Sequence, residues 1–319
     1  MLQQFMEERS PGSFERRKAI KLRLMMDSLN HLQLNRLQKP TFWLLGTGTT
    51  MMVLHLTLLS RSGDAELSEE LFATYVLLWF AVGSFVWERR HTLALQSGST
   101  ATTIGGGLLL GLLLLSSALP TSGSFLRGFP FVMILGMGLL ASGSRGLAQY
   151  WKELLIFGLL MLNPLFKLGL DLINLPKVTA QAAAFMLWYT GFDVRLDGLS
   201  LLLPTGRVDV YGACSGVSSM LQMLYISVLF VLMFSLPVVQ QLLSVSLAVL
   251  IGFLVNAARV ALMAVLVAFS QKSAFEYWHT GDGSLIFATI AVGLFGLFCW
   301  LAFLRTSPSL SDAGTPSNG

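Results

Sequence analysis

The stretch LLSVSLAVLIGFLVNAARVALMAVLVAFS, from Leu242 to Ser270, contains a single charged residue, Arg259, among 29 residues. A helix needs about 20 predominantly apolar residues to cross a bilayer, so this stretch predicts a membrane-spanning helix. The whole chain agrees, because hydrophobic residues make up 54% and charged residues only 12% of its 319 residues. The sequence therefore predicts an all-α polytopic membrane protein.

Other apolar stretches approach or exceed the length of a span. We predict about eight transmembrane helices, at residues 41–59, 71–87, 103–119, 129–144, 153–170, 216–235, 241–259 and 284–304. A further apolar stretch at residues 178–192 has only 15 residues, and we expect it to lie flat at the interface, where Trp188 and Tyr189 are favoured. A ninth span would instead move the segments that follow it to the cytoplasm.

The basic residues predict the orientation of these helices. Eight of the 21 Lys and Arg residues lie in residues 1–40, before the first span. Basic segments stay on the cytoplasmic side, so we expect the Cys214 region at the outer face of the membrane. We expect the lipid bilayer as a partner. We expect no nucleic acid, because the basic residues form no stripe with interleaved aromatics.

The segment DVRLDGLSLLLPTGRVDVYGAC, which ends at Cys214, alternates apolar and polar residues between two turn sequences, Asp197-Gly198 and Pro204-Thr205-Gly206. This alternation predicts short antiparallel strands. Unpaired strand edges are costly in lipid, so we expect a small β-hairpin-like cap on the outer face, directly before Cys214.

Cys214 stands where the small residues of YGACSGVSSMLQML lead into an apolar run. The unpaired N–H groups and the dipole of a helix start stabilise a thiolate, which is the nucleophilic form of cysteine. The alternative is that Cys214 belongs to a small-residue packing face of a membrane helix. The local sequence permits both readings.

Arg259 is the second candidate, because a charged side chain buried in a bilayer normally faces a polar partner or site. A helical rise of about 27 Å from residue 241 puts Arg259 near the outer boundary, level with Cys214. Asn256, three residues earlier, shares its helix face. The alternative is that Arg259 extends to the lipid headgroups.

His279, in EYWHTGDGSLIF, is the third candidate. An imidazole is the usual group that deprotonates a thiol and then protonates a leaving amine. Alternatively, His279 anchors the interface together with Tyr277 and Trp278. Asp282 suits either the third member of a triad or a turn between two glycines.

The ordered motifs ACSG, NAAR and HTGDG resemble the exosortase/archaeosortase family of membrane transpeptidases. Its pattern is a Cys in A-C-S-G, an Arg in N-x-x-R and a His often followed at four residues by Gly, here Cys214, Arg259, His279 and Gly283. The sequence around Cys214, with Ser218 where many members have Arg, is most similar to the cyanobacterial branch, the cyanoexosortases.

This resemblance implies a membrane cysteine transpeptidase with Cys214, Arg259 and His279 as catalytic residues and with no metal or cofactor. It also implies the inner (plasma) membrane, with the active site at the outer, periplasmic face. The implied substrates are exported proteins whose C-terminal sorting signal has a motif such as Pro-Glu-Pro, a transmembrane helix and a basic tail. Cys214 would form a thioester with the substrate protein, and an unknown acceptor nucleophile would then attack the thioester and receive that protein. A plain cysteine protease would use water instead.

On this reading the chain has four segments: a cytoplasmic basic amphipathic arm at residues 1–40, transmembrane helices at residues 41–150, a catalytic membrane core at residues 151–304, and a disordered cytoplasmic tail at residues 305–319. The arm suits the anionic inner leaflet or a protein partner equally. The alternative function is a non-catalytic transporter or assembly scaffold, in which the three candidate residues have structural roles.

Overall fold

The computed structural model describes residues 40–62, 72–95, 99–119, 122–279 and 283–305. Nearly all of the predicted arm and tail, and Asp282, lie outside these residues. The chain divides into two compact units, residues 1–54 and residues 55–319. Of the first unit the structure describes residues 40–54, which lie in the first helix, and the second unit holds every other described element.

The described part of the chain is mostly helical. Its α-helices are α1 (Pro40–Ser60), α2 (Phe72–Glu88), α3 (Thr100–Ser117), α4 (Gly123–Gly146), α5 (Trp151–Met161), α6 (Asn163–Leu172), α7 (Leu175–Tyr189), α8 (Val217–Met233), α9 (Val238–Ala268), α10 (Lys272–His279) and α11 (Gly283–Cys299). A 3₁₀ turn, Leu147–Tyr150, joins α4 to α5, and a second 3₁₀ turn, Gly212–Ser215, precedes α8.

Five described stretches are long and apolar enough to cross a membrane: Trp43–Ser60, Thr100–Ser117, Gly123–Met161, Val238–Ala268 and Leu285–Phe303. The apolar helices α2 and α8 are shorter, with 17 residues each. These helices confirm a polytopic, mostly helical membrane protein. The number of eight spans stays a prediction.

The chain folds back on itself between α4 and α5. Gly143 leaves the helical conformation, with φ 65° and ψ −176°. The ring of Phe131 then lies 3.5 Å from the position that a Cβ on Gly158 would take, so α4 and α5 run antiparallel, side by side. This reversal separates the predicted helices at residues 129–144 and 153–170.

The helix predicted at residues 153–170 is two helices, because α5 ends at Met161 and α6 begins at Asn163. Leu162 between them has a ψ angle of 2°, outside the helical range. Pro164, in the first turn of α6, has no N–H with which to continue the hydrogen bonds of α5. The proline therefore divides the predicted span.

Three short strands form an antiparallel sheet in the order β1 (Arg195–Asp197), β2 (Ser200–Leu203) and β3 (Gly206–Asp209). Leu201 of β2 lies opposite Leu196 on one side and Val208 on the other. Leu201 and Val208 are buried in one apolar cluster with α7 and α9. The position of this sheet as an outer cap stays a prediction.

Helix α9 supports the elements that surround Cys214. It has 31 residues, about 46 Å at roughly 1.5 Å per residue, and therefore exceeds the roughly 30 Å of the hydrocarbon core. Its C-terminal third packs against α7 and the sheet through a shared set of buried residues: Ala180, Ala183, Leu187, Leu201, Val208, Val260, Ala261, Met263 and Ala264. The predicted interfacial helix, α7, is thus held by protein contacts; its place at a membrane interface stays a prediction.

Helices α8 and α9 approach each other closely at Gly252. A Cβ on Gly252 would lie 2.9 Å from the carbonyl oxygen of Ser219 and 3.0 Å from the Cγ of Met223. Because α8 begins just after Cys214 and α9 carries Arg259, this contact sets the spacing between the two candidate residues.

We expect Gly252→Ala to destabilise the protein by about 1–3 kcal/mol, because the added methyl group must push α8 and α9 apart. The apparent Tm in detergent can be followed with a thiol-reactive dye, since Cys214 and Cys299 are both buried and form no disulfide. Gly293→Ala is the matched control, because no atom lies within 4 Å of a Cβ at Gly293. An equal Tm for the two variants would contradict this prediction.

Candidate active site

Cys214 lies in the 3₁₀ turn between β3 and α8, three residues before the first residue of α8, Val217. Its side chain is buried, with 6% of the residue exposed, and it packs in the cluster that contains Val260 and Ala261 of α9. Its N–H donates to the carbonyl oxygen of Tyr211 at 3.2 Å. The structure thus places the cysteine two residues before the N-cap of α8, Gly216, and in a packed environment.

Two polar side chains hold the backbone around Cys214. The Nδ2 of Asn256 on α9 donates to the carbonyl oxygen of Cys214 at 3.1 Å, and the Oγ1 of Thr179 on α7 donates to that of Ser215 at 2.7 Å. A Cβ on Gly216, whose φ is 89°, would lie 2.9 Å from the Asn256 Nδ2. Glycine therefore permits both the backbone conformation and the close approach of the amide.

Arg259 binds the C-terminal end of α10. Its Nη2 donates to the carbonyl oxygen of His279 at 2.6 Å, and its Nε donates to that of Trp278 at 3.4 Å. The last carbonyl groups of a helix have no partner within the helix, and a cation is favoured at that end. Only 5% of Arg259 is exposed, so its guanidinium is directed into the protein and does not extend to headgroups.

His279 is the last residue of α10, and its ring stacks on that of Phe275 with a centroid distance of 5.2 Å and an interplanar angle of 17°. Burial lowers the pKa of His279 below its ordinary value of 6.5, the positive charge of Arg259 lowers it further, and Glu276 opposes these effects. At neutral pH the imidazole is therefore uncharged, which is the form that accepts a proton.

Gly283 begins α11, immediately after the undescribed residues 280–282. A Cβ at this position would lie 2.8 Å from both the Tyr277 carbonyl oxygen and the Trp278 ring. Trp278 in turn contacts the ring of Phe287 on α11, with centroids 5.5 Å apart. The small residue four positions after His279 therefore allows α11 to pack closely against α10.

One turn of α9 joins the candidate residues. Asn256 binds the Cys214 carbonyl and Arg259 binds the His279 carbonyl, so the turn containing both side chains holds the two segments that carry the thiol and the imidazole. The sequence indicated that Asn256 shares the face of Arg259, but not what it binds. Thr179 carried no sequence signal, since it lies 36 residues from its partner, Ser215.

The arrangement contains the groups that acyl transfer through a thiol requires. These are a thiol close to the start of α8, an uncharged imidazole and a guanidinium. Two of the five N–H groups of the guanidinium donate to carbonyls of α10. Among the residues that the structure describes, no group of three or more His, Cys, Asp or Glu side chains could hold a metal ion.

Comparison with known protein families supports the resemblance of the motifs. The model of the transmembrane exosortase family (Exosortase_EpsH) matches residues 66–296, more than two thirds of the 319-residue chain. This region contains Cys214, Asn256, Arg259 and His279. No curated protein and no solved structure matches the chain.

We expect the pKa of His279 to lie below 6.5 in the folded protein and to rise in Arg259→Gln, because that substitution removes a nearby positive charge. Since the folded-state pKa is lowered, the protonated form favours unfolding, and the His279 contribution to stability declines as the pH falls below about 6.5. The measurement is NMR titration of ¹³C-labelled histidine in micelles, with His279→Ala to assign the signal.

Arg207→Gln is the control for this titration, because Arg207 is an exposed cation of β3 that pairs with Asp209. It should leave the pKa of His279 unchanged. A wild-type pKa at or above 6.5, or the same pKa in Arg259→Gln, would contradict the prediction.

Proposed function

Because the chain belongs to the transmembrane exosortase family, we propose that it is a membrane-embedded cysteine transpeptidase with Cys214 as nucleophile, His279 as general base and acid, and Arg259 as oxyanion donor. The observation that carries the proposal is the single turn of α9 that binds both the Cys214 and the His279 carbonyl groups. This turn supports the proposal because it connects the segment that carries the thiol to the segment that carries the imidazole.

In the first half-reaction, His279 takes the proton of the Cys214 thiol, and the thiolate attacks the scissile carbonyl carbon. The oxyanion that forms accepts hydrogen bonds from Arg259, which acts as a preorganised donor. The C–N bond then breaks, and the proton held by His279 goes to the leaving amine. The product is a thioester between Cys214 and the substrate.

In the second half-reaction, an acceptor nucleophile attacks the thioester and releases the thiol, with His279 now removing the acceptor's proton. Transfer to the acceptor makes the protein a transpeptidase, whereas attack by water makes it a protease. The lowered pKa of His279 supports this role, because an uncharged imidazole is available as base at neutral pH.

The proposed substrates are exported proteins with a C-terminal motif such as Pro-Glu-Pro, a transmembrane helix and a basic tail, as in the exosortases that the chain resembles. A substrate held by its own transmembrane helix would reach the site laterally, within the bilayer. The length of α9 supports a site at the outer face of the inner membrane: with Val238 at the inner boundary, Arg259 lies about 31 Å higher, near the other boundary. Membership of the cyanoexosortase branch is likewise part of the proposal.

The alternative is a non-catalytic polytopic transporter or scaffold. The observation that favours it is the burial of Cys214, of which 6% is exposed, in an apolar cluster. In that case the thiol only packs, and Arg259 only closes the end of α10. Cys214→Ala would then leave the biological function intact.

The test is co-expression of a reporter protein carrying such a C-terminal signal with wild-type protein and with single alanine variants. We expect Cys214→Ala to abolish processing, His279→Ala to slow it by about 10²–10⁴-fold, and Arg259→Ala by about 10²–10³-fold. Cys299→Ala is the matched control and should process normally, because Cys299 is also a buried cysteine outside any disulfide but lies at the far end of α11.

Processing that survives in all three site variants would exclude this mechanism. Mass spectrometry of the mature C-terminus separates the two enzymatic outcomes, since a covalently attached acceptor indicates transfer and a free carboxylate indicates hydrolysis. Membrane expression of each variant is quantified by immunoblotting, so that loss of protein is not taken for loss of activity.

A further inference from the structure

A small cavity lies between α8, α9 and α11, next to the candidate active site. Its volume is about 40 Å³, a few times the roughly 10–15 Å³ that one water molecule needs. Asn256 and Arg259 line it from α9, Gln222 lines it from α8, and Phe287, Ala288 and Ala291 line it from α11. The cavity is therefore lined by both residues that bind the candidate segments, Asn256 at Cys214 and Arg259 at His279.

The amide of Asn256 has one group paired and one unpaired. Its Nδ2 donates to the Cys214 carbonyl, which determines the orientation of the amide, because the reverse orientation would bring two oxygen atoms together. Only 2% of Asn256 is exposed. Its Oδ1 is buried and accepts no hydrogen bond from the residues that the structure describes. Buried polar atoms are rarely left unpaired, so the Oδ1 is expected to accept from a water molecule in the resting protein and from a ligand that displaces this water.

The other walls restrict what this donor can be. Arg259 disfavours a cation, and no carboxylate lines the cavity to offset its charge. The wall contributed by α11 is apolar, and Ala288 and Ala291 leave room for a small group only. A neutral N–H or O–H on a small residue meets all of these conditions.

We propose that this cavity is a substrate subsite that takes a small residue beside the scissile bond, whose neutral N–H or O–H donates to the Oδ1 of Asn256. The inference rests on the proposed function and adds a specificity to it. Asn256 then positions the segment of Cys214 through its Nδ2 and binds the substrate through its Oδ1. A peptide N–H of Gly or Ala and the hydroxyl of Ser are the groups that fit.

The first test varies the substrate. In the reporter signal, each residue that flanks the cleavage site is replaced in turn by Ser and by Leu, and processing by purified wild-type protein in mixed micelles is measured. At one position we expect Ser to be processed and Leu to raise the apparent KM by about tenfold or more, since the cavity cannot hold the larger side chain. Equal processing of Ser and Leu at every position would overturn the subsite.

The second test varies the cavity. Ala288→Leu fills it, so KM for the unmodified reporter should rise by about tenfold or more while kcat changes less, because ground-state and transition-state binding are lost together. Ala288→Gly enlarges it and should restore processing of the Leu reporter, which provides a gain of function if Ala288→Leu folds poorly. Ala302→Leu, at an exposed residue beyond α11, is the matched control and should keep the wild-type KM.

Alkylation of Cys214 in a Cys299→Ala background provides a readout that does not depend on processing. For each variant, the alkylation rate with saturating reporter is compared with the rate without reporter. Ala288→Leu should lose the protection that the reporter gives to Cys214 in the wild-type background. Wild-type protein that processes no reporter would overturn the proposed function, and the subsite with it. Wild-type protein that processes the reporter, with an unchanged KM and unchanged protection in Ala288→Leu, would overturn the subsite alone.

Discussion

The buried guanidinium of Arg259, bound to the last carbonyl groups of α10, is the interaction on which the candidate site depends. Placing an Arg in a membrane helix costs roughly 2.5–3.5 kcal/mol on the insertion scale. The two carbonyl oxygens of Trp278 and His279 offset this cost, and they are groups that the helix itself leaves unpaired. Burial and, after it, the same charge lower the pKa of His279, so this contact both holds the backbone of His279 and helps to keep its imidazole uncharged.

Helix α9 extends this effect to the rest of the site. Its last third forms one buried cluster with α7, the sheet and Cys214, and the close approach at Gly252 brings α8 alongside it. The segment of Cys214, the end of α10 and the cavity lined by Asn256 and Arg259 therefore all contact one helix, α9. Cys214 packs against α9 and also lies just before the start of α8, so packing and a nucleophilic role are compatible.

The resemblance of three motifs predicted the family, and the match over residues 66–296 confirms it. The predicted membrane class and the helical architecture are confirmed as well. The helix predicted at residues 153–170 was wrong as a single element. Hydropathy measures only how apolar a segment is, so it does not detect that Pro164 has no N–H group with which to continue a helix. The roles of Cys214, Arg259 and His279 remain predictions, to which the structure adds a common support.

The sequence by itself determined that the chain enters a membrane and that one charged residue lies in the apolar run from Leu242 to Ser270. These are local properties, set by the number of consecutive apolar residues against the thickness of a bilayer. Only the tertiary structure decided which polar groups pair. Asn256 reaches a carbonyl 42 residues away and Arg259 one that is 20 residues away, and such pairs arise from the packing of separate helices, which no local pattern of residues encodes.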